Sequence, residues 1–317
     1  MGIAVFGAVL VDIKGFPFGK FVTRGRNAGR VTEVHGGVSR NVVEDIANVE
    51  LRPSFISVLD QSGTSQEIIA KLKRHKVDTQ YIRISANGLG KWLAIFNNEG
   101  EVVASISQRP DLSSIAETLK EYGEEIISQA DSVAVEIDME ADLLNQIFAL
   151  CRKHHKKIYA VVSNMSIAME RRDLMKLTDC IVCNESEAAL LFSEDYKDLS
   201  PLQLAKCISE KVKQAKYPKM VVTMGEQGAV YAEMEDGYGI CPAQNTEVVD
   251  AAGCGDAFFA GVTIGLTYGK DLRTACEIGT RLASSVIATT ESVCPRFRPE
   301  EFNLVLPEEL LSKIASE

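Results

Sequence analysis

Short runs rich in valine and isoleucine alternate with amphipathic stretches through most of this chain, and that alternation limits its fold more than any other feature. The apolar runs fall at residues 3–11, 55–59, 132–137, 157–162, 180–183 and 220–224. Between them, residues 66–74, 115–127, 143–153 and 202–214 space their apolar side chains at helical intervals. Continuous apolar strands separated by helices bury both faces of a parallel sheet. The pattern therefore predicts an α/β fold in three layers, with a mostly parallel sheet between two layers of helices. Residues 253–268 and 272–289 read as two longer helices, and the whole stretch 253–311 as predominantly helical.

Two segments break the alternation. Residues 14–34 lack helical periodicity and hold several Gly, Phe and Arg, and residues 92–107 read as a hairpin turning at Asn97-Asn98-Glu99-Gly100. Both suit a small β-structure projecting from the main sheet. With no internal repeat and no low-complexity linker, the expected organisation is one domain over residues 1–317, with a β lid formed by about 13–35 and 90–108.

The most chemically loaded stretch is Val249-Asp250-Ala251-Ala252-Gly253-Cys254-Gly255-Asp256-Ala257. It places two glycines and an acidic residue where an extended segment turns into an apolar helix. A helix start offers unpaired N–H groups and a positive dipole end, and glycines let that backbone approach a phosphate closely. Asp256 would be an odd choice for anion binding alone. It fits a general base that takes a proton from a hydroxyl while the amides of Gly253, Cys254, Gly255 and Asp256 hold the phosphoryl group that hydroxyl attacks. An ordinary capped helix with an acidic first turn would carry the same residues. Residues 265–271 look faintly like a phosphate-binding P-loop, but the spacing is one residue short and Asp271 stands for Ser or Thr. A helix C-terminus at Gly269 explains them better.

Composition narrows the partners. The 317 residues are 46% hydrophobic and 25% charged, as ordinary globular chains are. A net charge of −10 argues against nucleic acid as the main ligand, yet leaves room for a local amide nest that holds a phosphate. No apolar run approaches the roughly 18 residues that span a bilayer. The start of the chain lacks a basic region and a cleavage site, so no membrane partner and a cytoplasmic location are expected. Eight cysteines scattered through apolar segments suit reduced, buried thiols. Cys180 and Cys183 form a CxxC without two further ligands, which favours core packing over zinc.

Five segments, taken together and in order, resemble the ribokinase (PfkB) family of sugar and nucleoside kinases. They are Gly7–Asp12, Gly36-Gly37-Val38-Ser39-Arg40-Asn41, Asn184-Glu185-Ser186-Glu187, Thr223-Met224-Gly225-Glu226-Gln227-Gly228 and Asp250–Asp256. The resemblance implies ATP as phosphoryl donor and a small-molecule sugar or nucleoside as acceptor. It implies that Asp12 and Asn41 bind acceptor hydroxyls, that Gly36 and Gly37 form a hinge, and that lid residues such as Lys91 and Trp92 select the acceptor. Asp12 is expected at the C-terminal end of the first strand, where ligands gather in open parallel sheets. Thr223, Gly225 and Gly228 would face the nucleotide, and Asn184 and Glu187 would hold Mg2+ through water. The same two residues are also close to a capping box.

Asp250 and nearby carbonyls would line a monovalent-cation (K+) site. Ala251 and Ala252 depart from the family there, standing where it usually has a hydroxyl, and Cys254 replaces the usual Ala. A cysteine at a helix start can be a reactive thiol or simply a small residue. The resemblance further implies a homodimer through the lid. Gly-Gly-Val-x-Arg-Asn is most similar to the pseudouridine kinase subgroup, with ribose, fructose and a keto-deoxy sugar acid as other acceptors. A non-catalytic nucleotide or sugar sensor is the rival reading. A nicotinamide oxidoreductase is disfavoured because no G-x-G-x-x-G follows the first strand.

Overall fold

The computed structural model describes residues 2–235, 237–308 and 312. In order, the chain forms β1 (Ala4–Phe6), β2 (Leu10–Pro17), β3 (Gly29–Gly36), α1 (Val38–Asn48), β4 (Ser54–Leu59), α2 (Gly63–Arg74) and β5 (Ile82–Ile84). Next come β6 (Gly90–Phe96), β7 (Val102–Gln108), α3 (Ile115–Gln129), β8 (Val133–Glu136), α4 (Ala141–Lys153) and β9 (Ile158–Val161). Two single-turn helices, α5 (Met165–Ala168) and α6 (Arg172–Met175), lead to β10 (Cys180–Asn184), α7 (Glu185–Phe192), α8 (Pro201–Ala215) and β11 (Lys219–Thr223). The remaining elements are β12 (Ala229–Glu233), β13 (Gly237–Cys241), α9 (Cys254–Thr267) and α10 (Leu272–Ile287).

Nine strands make the main sheet in the order β13-β12-β11-β10-β9-β8-β1-β4-β5. All of its pairings are parallel except the antiparallel edge β11-β12-β13. Successive strand residues point to opposite faces, and the two cores follow that alternation. Phe6, Val133 and Val135 pack with α3, α4, α7 and α8 on one side. Val5, Phe55 and Ala134 pack with α1, α2, α9 and α10 on the other. These are the three expected layers.

A second sheet of four strands, β3-β2-β6-β7, is built from the two segments that broke the alternation. Its central pair β2-β6 is parallel and its outer pairs are antiparallel. One face turns toward the main sheet and carries Asp12, Lys14, Val34, Trp92 and Ser107. The opposite face exposes apolar side chains, with Val31 and Ile106 each 70% accessible and Leu93 and Ile95 beside them.

Three expectations need correction (the first strand, the place of Asp12 and the C-terminal helical stretch), whereas the helix boundary expected at Gly269 is present. Residues 3–11 are not one strand. The ladder of β1 ends at Gly7, whose N–H reaches Ile56 O at 3.4 Å, and the next amide, Ala8 N–H, bonds the Glu136 carboxylate instead of a strand. Asp12 accordingly lies inside β2 of the small sheet, not at the end of a main-sheet strand. The helical reading of 253–311 fails after Ile287: up to residue 307 the chain is irregular apart from the 3-10 turn Pro299–Phe302, residue 308 is helical again, and 309–311 lie outside the described residues. Pro295, Pro299 and Pro307 remove the amide donors a helix needs there. The P-loop-like stretch is a helix boundary: Gly269 takes φ 84° after α9, and Asp271 caps α10 by accepting from Thr274 N–H at 2.7 Å.

Helix α9 is apolar on all sides because it is wedged between α1 and α10. A Cβ at Gly261 would lie 2.5 Å from Gly279 Cα of α10. Gly261→Val is therefore expected to cost about 1–3 kcal/mol, exceeding a helix-propensity gain of under about 0.5 kcal/mol. A lowered urea midpoint at unchanged m-value is the readout; an unchanged midpoint would contradict the close approach.

Candidate active site

The start of α9 lies between two clefts. Gly253 adopts φ 83°, and a Cβ there would sit 2.0 Å from Ser292 O, so only glycine fits. Cys254 N–H closes the turn on Ala251 O at 3.3 Å, and Ala257 N–H is bonded to Gly253 O at 2.9 Å. The Gly255 and Asp256 amides remain as helix-start donors. Gly253 and Asp256 line a cleft of about 370 Å³ beneath the small sheet. Cys254 and Gly255 line a neighbouring cleft of about 950 Å³.

Asp256 is half-buried and held by α1: Asn41 Nδ2 donates to its Oδ2 at 2.6 Å, and Ser292 Oγ donates to Asn41 Oδ1 at 3.4 Å. Burial pushes the Asp256 carboxyl up to about 6, further helped by Asp12, while Asn41 and the Arg40 charge work against it. That value suits a base operating near neutrality. Burial also raises Asp12, with Lys14 and Arg40 opposing. The pleat of β6 decides which lid residue faces the acceptor. Trp92 lines the smaller cleft, whereas Lys91 is exposed on the opposite face and its charge acts on Asp60. Lys91 is thus removed from the expected acceptor contacts. The turn at the expected hinge is tightly packed. Gly37 caps α1 at φ 99°, directly after β3, and a Cβ there would lie 2.8 Å from Leu10 N.

Sequence reasoning missed two carboxylates in this cleft region. Glu136 ends β8 and accepts from Ala8 N–H at 3.1 Å and Ser39 N–H at 3.0 Å. Its other oxygen lies 3.3 Å from Ser163 Oγ. Asp138 accepts from Ser163 Oγ at 2.9 Å and from Arg109 Nη2 at 3.1 Å, an arm that follows β7 of the small sheet. The available signal was Glu136-Ile137-Asp138 at the C-terminal end of an apolar strand, the edge where ligands collect.

The larger cleft gathers Asn184, Thr223, Gly225 and Gly228 at the ends of β10 and β11. Asn184 and Glu187 form a complete capping box: Asn184 Oδ1 accepts from Glu187 N–H at 2.9 Å and Glu187 accepts from Asn184 N–H at 2.8 Å. Burial, and then Asp138, raise Glu187. Among the described residues no cluster of three or more His, Cys, Asp or Glu could hold a metal directly. One amide and one carboxylate, both hard oxygen donors, fit a Mg2+ that keeps its waters and is held mainly by phosphates. For a monovalent cation the stretch offers Asp250, which already accepts from Ala252 N–H at 2.9 Å, and no hydroxyl at 251 or 252. Cys254 is no activated thiol. Burial, then Asp250, Asp256 and Asp45, push it up to about 11, against the effect of the helix start.

Burial and Asp138 push Glu136 up to about 7, above its ordinary value of 4.5. A carboxyl with a raised folded-state value stabilises the fold while protonated, and that stability is lost as pH climbs through the folded value. Glu136→Gln keeps the acceptor oxygen and cannot ionise. It is expected to raise Tm at pH 8, by about 1–3 kcal/mol in stability, and to match the parent near pH 4.5. A Tm difference independent of pH would contradict this.

Comparison with known proteins agrees with this geometry. Residues 2–295 match the pfkB family carbohydrate kinase profile. The chain is 32% identical to the guanosine-inosine kinase of Exiguobacterium acetylicum, over 92% of this chain and 95% of that protein. It is 20% identical to the pseudouridine kinase of Escherichia coli (strain K12), over 86% and 87%. The subgroup likeness read from the hinge is therefore the weaker of these two. Arabidopsis thaliana ribokinase, solved with ribose and ATP, superposes with a TM-score of 0.80 at 17% identity and 98% coverage of both chains. Two clefts meeting at a glycine-started helix, in a fold shared with ribokinases, are what a sugar or nucleoside kinase requires, and the chain belongs to the pfkB family of carbohydrate kinases.

Proposed function

We propose that the protein transfers the γ-phosphoryl group of ATP to the 5′-hydroxyl of a purine nucleoside of the guanosine or inosine type. The observation that carries this reading is the placement of Asp256 in the smaller cleft while Gly255, one residue earlier, opens on the larger. The likeness to a guanosine-inosine kinase favours the acceptor class. The nucleoside would sit under the small sheet, with its ribose hydroxyls on Asp12 and Asn41 and its base toward Trp92. ATP would occupy the larger cleft beside Thr223, Gly225 and Gly228.

As the 5′-oxygen attacks the γ-phosphorus, Asp256 accepts its proton. The bond from the γ-phosphorus to the β,γ-bridging oxygen breaks, and ADP leaves with that electron pair. The Gly255 and Asp256 amides offset charge growing on the equatorial oxygens. Asn184 and Glu187 would hold Mg2+ through water, where it would neutralise phosphate charge. Closing the small sheet about Gly37 as a lid over a single 1–317 domain excludes water, which limits ATP hydrolysis. No step depends on K+. Eight free cysteines suit a reducing cytoplasm.

Asp256 must be ionised to act, so kcat/KM should rise through about pH 6 and level off above it. Asp256→Asn is expected to lower kcat by about 10²–10⁴-fold while leaving ATP affinity intact. Turnover equal to the parent would favour a nucleotide-binding sensor. ADP release should be stimulated most by guanosine and inosine in a panel with adenosine, pseudouridine, ribose and fructose; preference for a free sugar would overturn the acceptor class. The exposed apolar face at Val31, Leu93, Ile95 and Ile106 suits a second copy of the chain. Light scattering should return a dimer at micromolar concentration, and a monomer would refute that pairing.

A further inference from the structure

Helix α1 grips the segment 292–294 with side chains from three successive turns. Arg40 Nη2 donates to Ser292 Oγ at 3.3 Å, and Ser292 Oγ in turn donates to Asn41 at 3.4 Å. Asp45 Oδ1 accepts from Cys294 N–H at 2.6 Å, and Asn48 Nδ2 donates to Cys294 O at 2.6 Å. The segment so held carries the Ser292 carbonyl that packs against Gly253 at the start of α9. At its other end the same guanidinium reaches the hinge: Arg40 donates to His35 O from Nη2 and to Gly36 O from Nε at 3.5 Å. Only 1% of Arg40 is accessible, and its charge is balanced by Glu44 at 2.6 Å. Glu44 is shared with Lys71 at 2.8 Å.

We propose that Arg40 is a positioning residue of the phosphoryl-transfer site: its buried guanidinium ties the hinge carbonyls of His35 and Gly36 to Ser292, and so fixes the acceptor cleft around Asp256. The proposal rests on the kinase reading above. Burying a charged pair is expensive, and its removal in favour of apolar groups is often neutral for stability. A planar fork of five donors spans four partners at once, which a lysine ammonium cannot do. The fork joins the two parts that must keep register during closure, the hinge and the helix start. It also places a positive charge near Asp256. The ionisable groups facing Asp256 are Arg40 and Asp45 from α1, Asp12 from β2 and Cys254 from its own helix turn. Arg40 is the one cation among them, and it favours the ionised base.

Two variants separate the mechanical part from the charge. Arg40→Lys keeps the charge and loses the fork. Its kcat/KM for the nucleoside should fall about tenfold to a hundredfold, with KM for ATP within about twofold and the acid limb of the pH profile unmoved. The double variant Arg40→Met with Glu44→Gln removes both buried charges and leaves only the partly exposed Lys71 without its ion pair. Its acid limb, and a carbon-detected NMR titration of the Asp256 carboxyl, should both move to higher pH by about half a unit or more. Arg40→Lys with parental kcat/KM, or an Asp256 titration identical in parent and double variant, would overturn the proposal. Should the double variant fail to fold, Arg40→Lys decides alone. The titration needs no acceptor, so it still judges Arg40 if every nucleoside proves inert, an outcome that would sink the nucleoside reading instead.

Discussion

A single hydrogen bond between two helices organises this molecule: Asn41 of α1 donates to Asp256 of α9 at 2.6 Å. It forms only because α9 starts where it does. Gly253 must turn against Ser292, α9 must pack between α1 and α10, and α1 must begin at the glycine that ends the small sheet. The site is thus a by-product of helix packing on one face of the main sheet. The small sheet brings Asp12 and Trp92 over the same point from above. The two clefts meet there because the helix start separates them by one residue, with Gly255 on one side and Asp256 on the other.

That arrangement gathers like charges. Asp12, Asp45, Asp256 and Glu136 all stand above their ordinary carboxyl values, chiefly because they are buried. A fold chosen for stability alone would not keep them. Functional sites regularly violate the rules that the rest of the chain obeys, and here burial raises the Asp256 carboxyl to about 6. Arg40, Asn41 and the helix-start amides are what the chain sets against this repulsion. The net charge of −10 makes the local placement of cations and amides matter more than the overall field.

Much of this was legible in the sequence, for reasons that differ by element. β8 to β11 and helices α3, α4 and α8 announce themselves because each strand has a continuous apolar centre and each helix keeps its period. The start of α9 is readable because two glycines and an aspartate fall where an extended segment turns into an apolar helix. The joint between the sheets was not readable. Residues 3–11 are apolar without a break, so nothing local shows that the chain leaves the main sheet at Gly7 for a carboxylate 128 positions away. Glu136 escaped for the same reason, since its partners Ala8, Ser39 and Ser163 meet only in three dimensions. Lys91 and Trp92 were read together as lid residues, but neighbours in a strand face opposite sides, and of the two Trp92 lines the smaller cleft. Asn184 and Glu187 were readable as a pair, and the capping box they form is compatible with the water-mediated role the family resemblance assigns them.

The most direct test of the whole account is a crystal structure of the protein with guanosine and a non-hydrolysable ATP analogue. The account requires the nucleoside 5′-oxygen within about 3 Å of an Asp256 oxygen and in line with the terminal phosphorus, which should lie against the Gly255 and Asp256 amides. A nucleoside bound with its 5′-hydroxyl pointing away from Asp256, or a terminal phosphate remote from the start of α9, would contradict it.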